Sequence, residues 1–158
     1  MLCVKHQVKL AFLSPSGRYI GSLEGEVKGN VLLRRTQYRL ADDEPLATHL
    51  ASIFIAGKIA NQRNVLARYV RDYHPEGEAK ELFREALAQL RRQQMLALKQ
   101  ASRKDLLGVE GFAASTYFSL FSQLIRSAEF PFAGRSKRPP KDEVNALLSF
   151  FYTLLAHD

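Results

Sequence analysis

Between residues 46 and 70 the apolar side chains Leu46, Leu50, Ile53, Phe54, Ile59, Leu66 and Val70 recur at helical spacing. Breakers end the pattern only at His74-Pro75-Glu76-Gly77. An amphipathic element of that length needs other helices to cover it, which points to a mainly α fold. Asp43-Glu44-Pro45 opens it with acid and proline in the first turn. Further helical signals lie on both sides. Asn30 can cap a segment over 31–40, and Phe83, Leu87, Leu90 and Leu98 stripe a third helix. Ser102 with Asp105 resembles a capping box ahead of a fourth over about 106–125. Asp142 can cap the last, where Val144, Leu147, Leu148, Phe151 and Leu155 recur. The expectation is a helical domain of roughly five helices.

The first two dozen residues differ in texture. Val8, Leu10 and Phe12 alternate with Lys9 and Ala11, the pattern of a half-buried strand. Ser14-Pro15-Ser16-Gly17 is turn chemistry, and Tyr19-Ile20-Gly21-Ser22-Leu23 can return as a second strand. A lone hairpin is marginal in water and needs more sheet or a packing partner. The expected organisation is 1–28 as the end of a β-domain plus linker, and 29–158 as the helical domain.

Charge narrows the function classes. Lys and Arg number 23 against 16 Asp and Glu, a net charge of +7, which favours polyanionic partners, nucleic acid before an anionic membrane. The hydrophobic share of 46% is that of a folded globule, so wholesale disorder is excluded. The single cysteine, Cys3, excludes an internal disulfide. Cys3 and His6 have half of a zinc spacing with no second pair. The start, Met1-Leu2-Cys3-Val4-Lys5-His6, is too polar for a signal-peptide core, and the longest apolar run is half a bilayer crossing. A cytoplasmic protein with no membrane partner is expected.

Three cationic clusters stand out. Gly134-Arg135-Ser136-Lys137-Arg138-Pro139-Pro140-Lys141 is a proline-stiffened loop whose cations lose little entropy on gripping phosphates. Arg34-Arg35-Thr36-Gln37-Tyr38-Arg39 is the second, and Lys58 to Arg63 the third. In a helix Lys58, Asn61 and Gln62 share a face, as a DNA contact or simply as a solvated stripe. In Gly108-Val109-Glu110-Gly111 a carboxylate lies among glycines, which permit close approach of a helix, a metal or a phosphate. Taken alone, such a Glu is more often a surface residue of a first helical turn, where the helix dipole favours it. His157-Asp158 point about 100° apart on a helix and do not jointly face an ion, and His49 and His74 have no partner at ligand spacing.

Taken in order, these stretches resemble the CRISPR-associated integrase, the catalytic subunit of spacer acquisition, of the variety found with type I-C systems. The resemblance is carried by Phe12-Leu13-Ser14-Pro15-Ser16-Gly17-Arg18-Tyr19 and by Gly29-Asn30-Val31-Leu32-Leu33-Arg34-Arg35. It continues through Gly57-Lys58-Ile59-Ala60-Asn61-Gln62-Arg63, Gly108-Val109-Glu110-Gly111 and Asn145-Ala146-Leu147-Leu148. It implies an N-terminal β-domain that pairs two subunits and a helical domain that binds double-stranded DNA and Mg²⁺ or Mn²⁺. It also implies a small nuclease-like partner subunit. By the resemblance Glu110 is the metal-binding, catalytic Glu, while charge and motif position assign DNA contacts to Lys58, Gln62, Arg63, Arg135, Lys137 and Arg138.

The resemblance also marks departures. The chain is expected to be a fragment that lacks most of the β-domain and the C-terminal stretch holding the family's His and Asp ligands, and so to be inactive alone. Two other classes compete: a non-catalytic basic helical DNA-binding module, and a protein-interaction domain that uses the hairpin edge.

Overall fold

A computed structural model describes residues 2–15, 18–25, 29–100 and 102–157. Ser16 and Gly17 of the expected turn, residues 26–28 of the expected linker, and Asp158 lie outside the described residues. The elements run α1 (Leu2–Lys5), β1 (Leu10–Leu13), β2 (Tyr19–Leu23), α2 (Val31–Asp42), α3 (Glu44–Tyr73), α4 (Gly77–Ala97), α5 (Arg103–Ser119), α6 (Phe121–Leu124) and α7 (Glu143–His157). The mainly α expectation holds. Five of these helices are long, and α1 and α6 are single turns. Two compact units result, Leu33–Ala128 and Met1–Leu32 together with Glu129–Asp158.

In Leu33–Ala128, local chemistry sets the helix ends. The Asp43 carboxylate accepts from the Leu46 N–H at 3.0 Å, satisfying one of the orphan donors that open α3. His74 closes α3 in the left-handed conformation, φ 47°, donating its N–H to the Val70 carbonyl. The Ser102 hydroxyl accepts from the Asp105 N–H at 3.1 Å and starts α5. The expected fourth helix is interrupted at Leu120, whose N–H donates to the Tyr117 carbonyl three residues back instead of continuing the α ladder, and α6 starts as a separate turn.

The core of this unit is Ile59 and Leu66 of α3, Phe83 and Leu90 of α4, and Leu106 and Ala113 of α5, with smaller residues between them. The Tyr69 ring stacks on Phe83 at 5.1 Å, joining the end of α3 to the start of α4. The expected stripe on α3 is only half right. Its first half buries Thr48, Ser52 and Ala56, while Leu50, Ile53 and Phe54 are exposed. Small residues at four-residue spacing let a packed neighbour come close, and that face is the one covered.

In the other unit β1 and β2 pair antiparallel, Leu10 opposite Leu23 and Phe12 opposite Gly21, with an irregularity after Phe12. The strand signal holds for 10–13, but Val8 precedes the strand and donates its N–H to the Cys3 carbonyl. The half-buried expectation fails: Leu10, Phe12, Ile20 and Leu23 are all exposed. A two-stranded ribbon has no second layer over its apolar face, so alternation alone does not bury it. Leu13 to Pro15 share a cleft with Ala146, Ser149 and Phe150 of α7, the packing partner a hairpin needs. On α7, Leu147, Phe151 and Leu155 of the expected stripe are exposed, and the fully buried residue is Asn145.

Candidate functional site

Val109 and Ala113 face the core from α5, and Glu110 sits at the edge of that face, 29% exposed. Lys58, on α3, crosses to it, and the Lys58 ammonium donates to Glu110 Oε1. Two residues separated widely in sequence thus meet as an ion pair. The flanking glycines are not there for helix contact. A Cβ built at Gly57, Gly108 or Gly111 meets no heavy atom within 4 Å. They leave open surface beside the pair instead, room for a ligand's backbone or phosphate to reach it.

One turn beyond Lys58, the Gln62 Oε1 and Arg63 Nε are buried and have no hydrogen-bond partner among the described residues. Unsatisfied buried polar atoms are costly, so these two, on half-buried side chains, are candidates for an external partner. Asn61 is exposed. The cluster at 34–39 lies on α2, which buries none of its residues.

The basic loop belongs to the other unit. Its Arg135 is turned inward: Nη1 donates to Asn145 Oδ1 at 2.8 Å, Nη2 donates to Ser149 Oγ at 3.3 Å, and the guanidinium lies over the Tyr152 ring. Lys137 and Arg138 remain exposed. Sequence reasoning missed the hub of this loop. Asn145 Oδ1 also accepts from the Ser136 N–H at 2.9 Å, and its Nδ2 donates to the Gly134 carbonyl at 2.8 Å and to Asp142 Oδ2 at 2.7 Å. All four hydrogen-bonding capacities of the amide are used. Asp142 in turn caps α7 through the Asn145 N–H, as expected.

Asn145→Leu should therefore unlock the loop although it keeps the number and branching of side-chain heavy atoms. It strands two acceptors and two donors, worth about 3 kcal/mol or more in total. Hydrogen exchange at the Ser136 amide should accelerate by roughly a hundredfold. Unchanged protection there would show that the loop is held by other contacts.

Residues 1–158 match in full the family described as CRISPR associated protein Cas1. The chain belongs to that family. The CRISPR-associated endonuclease Cas1 1 of Chlorobaculum tepidum is 46% identical over 164 residues, covering 99% of this chain and 46% of that protein. The CRISPR-associated endonuclease Cas1 2 of Rhodospirillum rubrum is 46% identical over 161 residues, with the same two coverages. Among solved structures, the Cas6-RT-Cas1--Cas2 complex superposes with a TM-score of 0.71 at 28% identity, over 97% of this chain and 16% of that one. The chain spans about half the length of the curated Cas1 relatives it matches.

The resemblance read from the sequence is thus confirmed at the level of the Cas1 family. Its implied metal does not find a complete site in this arrangement. Among the described residues no group of three or more His, Cys, Asp and Glu is placed to hold an ion. The one carboxylate offered, Glu110, is neutralised by Lys58. Mg²⁺ keeps several of its waters and is usually held by only one or two protein carboxylates, and Glu110 is the single one offered here. The side chain of His157 and the whole of Asp158 lie outside the described residues. No helix among the described residues is long and apolar enough to cross a membrane.

Proposed function

We propose that this chain is the portion of a Cas1-type DNA endonuclease and integrase that carries one catalytic carboxylate and part of the DNA-binding surface. The observation carrying this reading is the family match over residues 1–158 together with Glu110 standing beside open, glycine-lined surface. In this reading Glu110 is the carboxylate the segment contributes to a Mg²⁺ or Mn²⁺ site completed by ligands other than the described residues. Lys58 orients that carboxylate until a phosphate competes for the ammonium. Gln62 and Arg63 lie one turn along α3 and offer further contacts to the same strand. Lys137 and Arg138 grip backbone phosphates, while Arg135 holds their loop in shape. That the relatives are named endonucleases supports a nucleic-acid substrate, and the solved Cas6-RT-Cas1--Cas2 complex supports a Cas2-like partner. The proposed organisation keeps 1–28 as the edge of a β-domain that pairs two subunits, and 29–158 as the helical domain.

The test is a chimera in which residues 1–158 replace the matching stretch of the Chlorobaculum tepidum relative. It should nick plasmid DNA in Mn²⁺, and a chimera that folds and binds DNA without nicking would overturn the reading.

Duplex binding by the chain itself should be backbone-driven and steeply salt-dependent, because each cation engaged releases a counterion. Fluorescence anisotropy with unrelated duplexes should give similar affinities. Substituting Lys137→Ala with Arg138→Ala should flatten the slope of log K against log salt by roughly 2. An unchanged slope would remove these two residues from the interface.

A further inference from the structure

A groove of about 620 Å³ lies between α3 and α4, lined by Arg63 on one side and by Arg91, Arg92 and Lys99 on the other. Its floor is apolar: Leu87, Met95 and Leu96. We propose that this groove receives an acidic amphipathic helix of a partner protein.

Three observations carry this. First, the four cations converge with no acid among the lining residues, and none has an ion-pair partner among the described residues, whereas Arg68, Arg71, Arg84 and Arg103 are all paired. Like charges gathered without counter-charge favour an anionic occupant. Second, the buried Nε of Arg63 has no acceptor, and a planar guanidinium is met best by a carboxylate in bidentate fashion. Third, Leu87, Arg91 and Met95 alternate apolar and cationic at four-residue spacing along α4, and Lys99 follows in the turn just past the helix end, its N–H donating to the Leu96 carbonyl. Residues four apart share a helix face, so the strip offers apolar and cationic contacts in turn over roughly 18 Å. An occupant helix with Glu and Leu in the complementary order matches it through about three turns.

A nucleic acid fits less well. A phosphate backbone makes no use of an apolar floor, and no aromatic ring lines the groove on which a base could stack. Met95 and Leu96 are 53% and 42% exposed, a pliable thioether and an aliphatic side chain suited to anchoring Leu or Ile. Of the residues proposed above to touch DNA, Arg63 is shared with this groove, whereas Lys58, Gln62, Lys137 and Arg138 lie outside it, so the DNA reading rests on those four and not on the groove.

The test uses the full chain and two fluorescein-labelled synthetic helices of about four turns. One carries Glu facing the cations and Leu facing the floor, and the other carries Ser in place of every Leu. The Glu–Leu helix should bind, with the Glu–Ser helix weaker by roughly tenfold or more. Arg91→Glu with Arg92→Glu, and separately Met95→Asp, should each weaken the Glu–Leu helix by a similar factor. Equal affinity for the two helices, or no binding of the first, overturns the proposal, and that comparison needs no variant. A mixed-sequence duplex that displaces the Glu–Leu helix, and whose own binding falls with the arginine substitutions but not with Met95→Asp, also overturns it by making the groove a phosphate tract. Failure of the DNA reading is seen separately, in the Lys137→Ala and Arg138→Ala salt slope.

Discussion

Glu110→Gln in the chimera with the Chlorobaculum tepidum relative should reduce Mn²⁺-dependent nicking to background while leaving duplex binding and thermal stability nearly unchanged. Glutamine keeps the size of the side chain and still accepts a hydrogen bond from Lys58, but it removes the negative charge that a divalent ion requires of its ligands. The pair itself adds little to folding. Its partners are 46% and 29% exposed, and exposed pairs of this kind are worth up to about 1 kcal/mol. Lys58→Ala is the matching control. If Glu110 served only to anchor Lys58, the two substitutions would have the same small effect on melting and the same effect on nicking. Nicking by Glu110→Gln at the level of the parent chimera would dismiss Glu110 as a catalytic residue.

Phe83→Ala should cost about 3–5 kcal/mol, the loss expected when a large ring is cut from a filled interior. Phe83 is 1% exposed and stacked on Tyr69, at the seam between α3 and α4. For a unit of this size the midpoint of thermal unfolding should fall by roughly 15–30 °C, read from helical circular dichroism. Phe54→Ala is the instructive comparison. Phe54 belongs to the apolar stripe of α3 by spacing, yet it is 74% exposed, so its removal should change stability by no more than about 0.5 kcal/mol. Equal losses at the two positions would mean that the burial pattern of α3 has been misassigned.

The Phe83 and Phe54 pair shows where sequence reasoning reaches. Helix ends were legible because their chemistry is local: Asp43, Ser102 and Asp142 each bond an amide three residues on, and His74 follows a run that a proline must stop. The hairpin was legible for the same reason, from turn residues between two short β-prone runs. Spacing names a stripe but not its cover. In α3 the covered face proved to be Thr48, Ser52 and Ala56, and in α7 it proved to be Asn145, because burial depends on which neighbour arrives.

The site divides along the same line. Glu110 was visible as a carboxylate among glycines, and its role was named only through the family resemblance. Its pairing with Lys58 spans 52 positions, a distance over which no periodicity carries information. The turning-in of Arg135 rests on Asn145, 10 positions away across a loop. The Leu87, Arg91, Met95, Lys99 alternation was written in the sequence, but only the approach of Arg63 from α3 makes it one wall of a groove. By itself the sequence determined the capped helix starts, the positive charge and the candidate carboxylate Glu110, since each follows from residues close together in the chain. The tertiary structure decided which faces are buried and which charges meet, because those depend on contacts between residues that only folding brings together.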